Sequence, residues 1–222
     1  MLILIKDKKF FFVAIILFFI SMILNFPFPD ENPLGETVAT LLNIPVKSSN
    51  GLLYVGITSF LLLILSLFFL SKSLKKYHGR FILLSIVVAI FLPPFIVDLF
   101  QKTLATGIYA ISYQKEESNC RFEMMGETTL HGVCELPLEN YSKNKIQFTI
   151  EFYDKYDFKE DLPMVTLMNK NAPYEVRLRG NQSERVKIET DIDVSKMKNH
   201  IESGNASSVS IIIKSGERIR KL

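Results

Sequence analysis

Two hundred and twenty-two residues, 48% of them apolar and 22% charged, reach a mean hydropathy of +0.22, which soluble domains of that charge content seldom do. The apolar residues crowd into the first half, which excludes a soluble cytosolic enzyme and a disordered chain. Two cysteines are too few for a disulfide-dense miniature scaffold, and the formal net charge of +3 sits in short basic flanks, so no nucleic-acid partner is expected.

Three runs, Phe10 to Phe28, Gly51 to Leu70 and Phe81 to Phe100, are almost free of charge. A helix rises about 1.5 Å per residue, so about 20 apolar residues cross a hydrocarbon layer of about 30 Å. Leu61 to Leu70 shows no polar stripe of the kind a buried core helix carries. The three runs are therefore read as transmembrane helices over residues 10–28, 51–70 and 81–100. The first ends in Asn25-Phe26-Pro27-Phe28-Pro29, without a small-x-small cleavage site, and reads as an uncleaved anchor.

Basic residues in short loops stay on the cytoplasmic side. Lys6, Lys8 and Lys9 precede the first run, and Lys72, Lys75, Lys76 and Arg80 join the second to the third, acting as topology anchors. Between the first two runs only Lys47 stands, beside Asp30, Glu31 and Glu36. The expected location is the plasma membrane, multi-pass, with the N-terminus cytoplasmic and everything after the third span outside. In the outer loop Leu34, Val38, Leu41 and Leu42 recur at helical spacing, which predicts a short amphipathic strut in the outer interface. The third span contains Pro93 and Pro94, which predict a kink, and Asp98, the one acid inside an apolar run. Counted from Arg80, Asp98 lies about 27 Å along the helix axis, toward the outer interface. The repeat of Leu104, Ile108 and Ile111 extends this helix as a stalk to about residue 111.

From Ser112 onward the period changes to two. Ile146, Phe148, Ile150 and Phe152 alternate with Gln147, Thr149, Glu151 and Tyr153, the pattern of a strand with one buried face. Leu130 to Leu138, Val165 with Leu167, Tyr174 to Leu178, Val186 to Ile192 and Val209 to Ile213 repeat it, separated by Asn-, Gly- and Pro-rich turns; Ser215-Gly216 turns the last toward Ile219. A brief helix is expected between Asp193 and Gly204. Residues 1–111 thus form a membrane domain and residues 112–222 an extracytoplasmic antiparallel β-sandwich of about seven strands. A turn centred on Glu127 places Cys120 directly opposite Cys134, where a disulfide closes across the hairpin. Two buried thiols are the alternative, since a shift of one residue sends the sulfurs to opposite faces.

The run Gly132-Val133-Cys134-Glu135-Leu136-Pro137-Leu138-Glu139-Asn140, followed by Ile146 to Asp154 ending in Glu151-Phe152-Tyr153-Asp154, resembles the strand, Asn turn and Phe-Tyr-Asp pattern of bacterial extracytoplasmic immunoglobulin-like modules of the FxLYD-like kind. The resemblance implies an immunoglobulin-like binding or spacer module with no catalytic residues. Pro137 stands where that family has a small residue, and it suggests an edge strand or bulge.

The chemical inventory is thin. His78, His131 and His200 lie on different segments, no metal-ligand spacing or nucleophile elbow occurs, and no cofactor or enzymatic activity is expected. Asp154, Asp157, Glu160 and Asp161 crowd one loop, but Lys155 and Lys159 interrupt them, which makes a solvated turn a better reading than a calcium site. Asn140, Asn181 and Asn205 each begin an Asn-x-Ser acceptor pattern. The sequence therefore supports a membrane protein whose partners are the lipid bilayer and a protein at the outer face. The alternative is an accessory or pore-lining transporter subunit using Pro93, Pro94 and Asp98.

Overall fold

The computed structural model describes residues 4–47, 51–154, 164–197 and 202–222. The chain divides into two compact units, Met1–Leu99 and Phe100–Leu222.

The first unit is helical: α1 (Lys8–Leu24), α2 (Leu34–Leu41), α3 (Tyr54–Ser73) and α4 (His78–Thr103), whose last residues enter the second unit. Helices α3 and α4, at 20 and 26 residues, are long and apolar enough to cross a membrane. Helix α1 has 17 residues. It begins at Asp7, whose carboxylate accepts from the free amides of Lys9 at 2.8 Å and Phe10 at 3.3 Å. α1 and α3 pack as an antiparallel hairpin, because α3 carries a serine every seven residues. Ser59, Ser66 and Ser73 are all buried, and they face Ala14 and Ser21 of α1. The Ser66 hydroxyl donates to Ala14 O and the Ser21 hydroxyl to Ser59 O, both at 2.8 Å, while the Asn25 amide bonds the Ser59 hydroxyl. Small side chains let the backbones approach, and the hydroxyls then find partners that apolar surroundings deny them elsewhere. Helix α2 forms where its spacing predicts it. Gly35 lies so close to the hairpin that a β-carbon there would meet Val55 Cγ1 at 2.7 Å and Leu24 O at 2.8 Å. Val38, Leu41 and Leu42 remain exposed.

The second unit is β: β1 (Ile111–Tyr113), β2 (Asn119–Met124), β3 (Thr129–Asn140), β4 (Ile146–Phe152), β5 (Tyr174–Leu178), β6 (Ser183–Asp193), β7 (Ser203–Ser207), β8 (Ile211–Ser215) and β9 (Arg218–Lys221). They form two antiparallel sheets. In the five-stranded one β3 is central: β6 runs along one edge, β2 and β1 share the other, and β7 pairs with β2. The second sheet has the order β5-β4-β8-β9. Phe122, Leu130, Cys134, Leu136 and Ile188 from the first sheet and Phe148, Ile150, Phe152, Leu178 and Ile213 from the second belong to one continuous buried core.

Four sequence expectations change. The helix ends at Thr103 and does not run on as a stalk to residue 111: Gly107, at φ +60°, opens a 3-10 turn over Gly107–Ala110. Ile108 and Ile111 are buried in the β core, whereas Leu104 is 72% exposed, so their helical spacing did not reflect a shared helix face. The carbonyls of that turn are held by two buried side chains. Gln101 donates to Tyr109 O and Ile111 O at 3.1 and 3.0 Å, and Arg220 to Ile108 O and Ile111 O at 3.1 and 2.6 Å. The β unit therefore begins near residue 100, ahead of the expected boundary at 112.

Val165 and Leu167 lie in a 3-10 helix, Val165–Asn171, and not in a strand. There Asn169 bonds both backbone groups of Phe152, its oxygen accepting from Phe152 N at 2.8 Å and its amide donating to Phe152 O at 2.6 Å. Pro137 lies neither on an edge strand nor at a bulge. It sits in the central strand, between the stretch paired with β2 and the stretch paired with β1, where no partner residue faces it across that edge and its carbonyl accepts from Gln114 N at 3.1 Å. A proline lacks the N–H that a continuous ladder needs, and this gap does not ask for one. After β6, Val194–Met197 form a turn in place of the start of a helix, with the Asp193 carboxylate accepting from Ser195 N at 2.9 Å. The rest of that expected helix up to Ile201 lies outside the described residues.

Candidate functional site

Outward positions on β2, β3 and β6 carry charge because alternation sends every second side chain away from the core. The register places His131 opposite Asp191 of β6 and Glu123 of β2, Val133 opposite Glu189, and Glu135 opposite Lys187. His131 Nδ1 lies 2.6 Å from Asp191 Oδ1, and its Nε2 lies 3.3 Å from Glu189 Oε1. Lys187 Nζ reaches Glu189 Oε2 at 2.5 Å, and Arg185 approaches Glu117 at 3.4 Å and Glu135 at 3.8 Å. The bond from Lys187, with His131 behind it, holds the Glu189 carboxyl below its ordinary range. These pairs face solvent and add little stability by themselves; what they supply is a pattern of charge along the sheet. Both nitrogens of His131 face carboxylates. Among the described residues no group of three or more His, Cys, Asp or Glu side chains is placed to hold a metal. His200 and the acidic residues Asp157, Glu160 and Asp161 lie outside the described residues, as do Lys155 and Lys159.

Cys120 and Cys134 are directly opposed in the β2–β3 hairpin. Their α-carbons are 4.0 Å apart, their sulfurs are at disulfide distance, and both side chains are buried. Gly126, at φ +99°, makes the turn between the strands.

Asn140 settles one of the Asn-x-Ser patterns. Its side chain is fully buried, with the amide donating to Asn144 O and Arg179 O at 2.9 Å and to Leu178 O at 3.4 Å. The side-chain oxygen accepts from the Ser142 amide and hydroxyl. An amide used in this way cannot carry a glycan in the folded chain, whereas Asn181 and Asn205 are exposed.

In α4 the helix continues through Pro93 and Pro94 to Thr103, with Pro93 buried, Pro94 exposed and Asp98 half-buried. Lys72, Lys75, Lys76 and Arg80 are exposed around the α3–α4 connection. The chain's first described residues lie against the same connection. Ile5 pairs with Leu74, Lys6 N donates to Ser73 O at 2.6 Å, and Lys75 N donates to Leu4 O at 2.9 Å. Sequence spacing identified both basic segments but held no signal that they meet, because main-chain pairing across the hairpin leaves no side-chain pattern.

No family model, curated protein or solved structure matches this chain.

Proposed function

We propose that this chain is a multi-pass plasma-membrane protein whose three long helices cross the bilayer and whose β unit is an outward immunoglobulin-like sandwich that binds a protein partner. The partner is an envelope protein or another subunit of a membrane complex, and the chain performs no reaction of its own. The observation that carries this reading is the ordered charge lattice on β3 and β6, centred on His131 between Asp191 and Glu189. Side chains held by one another on a sheet need little ordering when a partner arrives, which favours recognition.

Several features support the membrane placement. The side chains of α3 and α4 point apolar surface outward, with Phe60, Phe68, Phe91 and Phe95 more than half exposed. Helix α1 is bonded into α3 through Ser21, Asn25 and Ser66, which favours a retained helix over a removed leader. The strand order supports an immunoglobulin-like plan: β2, β3 and β6 correspond to A, B and E, and β5, β4, β8 and β9 to C′, C, F and G, with β1 and β7 as additions.

Photo-crosslinkers placed at Glu123 and Glu135, on the charged face, and at Glu175 and Arg177, on the other sheet, test the reading in intact cells. One discrete adduct from the first pair, abolished by His131→Ala with Asp191→Ala, is expected. Adducts from neither face, or only from Glu175 and Arg177, would overturn it.

A second reading is an accessory or pore-lining transporter subunit, favoured by the half-buried Asp98 in an otherwise apolar stretch of α4 just beyond Pro93 and Pro94. Asp98→Asn should then change transport while leaving outer-face crosslinking intact, and a silent variant removes the motive for this reading.

A further inference from the structure

We propose that the two basic segments at one end of the helical hairpin form a single binding surface for the headgroups of anionic phospholipids. The proposal rests on the membrane reading of α1, α3 and α4. Lys6, Lys8 and Lys9 are separated from Lys72, Lys75, Lys76 and Arg80 by more than sixty positions in sequence. The Ile5–Leu74 bridge, with the Lys6 N to Ser73 O and Lys75 N to Leu4 O bonds, brings them together. The seven side chains are all exposed, and among the described residues none has a carboxylate partner.

One acid lies within these segments, against seven cations, so the excess remains strongly positive. Asp7 turns its carboxylate onto the Lys9 and Phe10 amides, where it caps α1. Two of the cations lie against aromatic rings, Lys72 Nζ at 5.7 Å from the Phe68 centroid and the Arg80 guanidinium at 5.1 Å from that of Tyr77. Such stacking holds a long side chain in place. Tyr77 is itself exposed, an amphipathic ring of the kind that sits at headgroup level. α1 begins, α3 ends and α4 begins at this end, which is where hydrocarbon gives way to phosphate if the helices span.

Unpaired cations at that depth attract anionic lipid. Charges that served only to orient each helix would need no contact between the segments. Here the main chain joins them, so one headgroup layer meets both sets at once and removing either set should cost most of the binding.

The test uses the full chain in nanodiscs of phosphatidylcholine containing a minority of phosphatidylglycerol, with phosphatidylglycerol at the protein measured by energy transfer from a headgroup label. Insertion into discs of phosphatidylcholine alone is the separate check on the membrane reading, and failure there condemns that reading rather than this one. Wild type should enrich phosphatidylglycerol, and K6Q/K8Q/K9Q and K72Q/K75Q/K76Q should each lower its apparent affinity by at least about tenfold. A K143Q/K145Q/R177Q control, which removes equal charge from the β unit, should match wild type. Wild-type enrichment in both hairpin variants, or a loss no greater than in the control, overturns the proposal. Displacement by free glycerol phosphate as effective as by added anionic lipid would assign the surface to a soluble phosphate and overturn it equally.

Discussion

Phe122 on β2 stands directly opposite Gly132 on β3, and its ring covers the glycine: a β-carbon there would lie 3.1 Å from Cε1 and 3.3 Å from Cδ1. The Met168 sulfur closes the same space at 2.6 Å, and both covering side chains are fully buried. A glycine weakens a strand unless a neighbouring ring fills its place, as here. Gly132→Ala should therefore destabilise the β unit by about 1 to 3 kcal/mol through overpacking. Thermal unfolding of the detergent-solubilised protein, followed by near-ultraviolet circular dichroism, reads this. An unchanged melting temperature would show that Met168 moves aside freely.

Asn140 is a second position where small changes should be costly. Asn140→Asp sets a buried carboxylate oxygen against the carbonyls of Asn144, Leu178 and Arg179, in place of the amide that donates to all three. An unsatisfied buried polar group costs about 1 to 3 kcal/mol, and more when charge is involved. The variant should show early proteolysis of the turns at residues 141–145 and 179–182, and wild-type resistance there would count against the role assigned to this amide.

The opposed cysteines predict a closed hairpin. A bond across a sequence separation of 14 removes about 3 kcal/mol of unfolded-chain entropy on the loop-closure model. Mass-tagging alkylation of intact membranes should modify neither cysteine before reduction and both after reduction and unfolding. Two thiols that react after unfolding without reductant would refute the bond. Cys120→Ala with Cys134→Ala should lower stability by a comparable amount.

Alkaline pH should weaken the β unit in a defined direction. Burial pushes the Tyr174 phenol above its ordinary value near 10, against a smaller opposite effect of the bond to Thr190. Tyr141 moves the same way, through burial first and Glu139 second. Above about pH 10 an unfolded chain has lost these protons while the folded one keeps them. Unfolding then releases protons, so stability is full below that pH and falls as pH rises through the folded values. Tyrosinate absorbance should show phenols titrating late in the folded protein. Tyr174→Phe should shrink the alkaline loss and, by removing the hydroxyl bond to Met168 O at 2.6 Å, cost about 1 kcal/mol at neutral pH.

Topology is tested by reporter fusions. A fusion after Lys76 should read cytoplasmic, and fusions after Lys47 and at Leu222 should read external, following the one-sided placement of short-loop cations. A cytoplasmic reading at Leu222 would remove both the outward head and the oxidising compartment that favours the cysteine bond.

What the sequence determined by itself was local and periodic. The alternation from Ile146 to Phe152 returned as β4, the apolar runs returned as α1, α3 and α4, and turn arithmetic alone placed Cys120 opposite Cys134. Such features follow from the geometry of one segment or one hairpin, which a linear pattern encodes directly. The tertiary structure decided the rest. Val165 and Leu167 have the spacing of a strand, yet the Asn169 side chain bonds the backbone of Phe152 and the segment coils into a 3-10 helix. Ile108 and Ile111 keep helical spacing but are drawn into the β core, where burying apolar surface outweighs continuing a helix. Pro137 is accommodated in a central strand because β1 and β2 share an edge and leave a gap opposite it. His131 meets Asp191, and Lys6 lies beside Ser73, only through pairings between distant segments. Those pairings depend on which strand or helix ends become neighbours, and no periodicity within either segment records that choice.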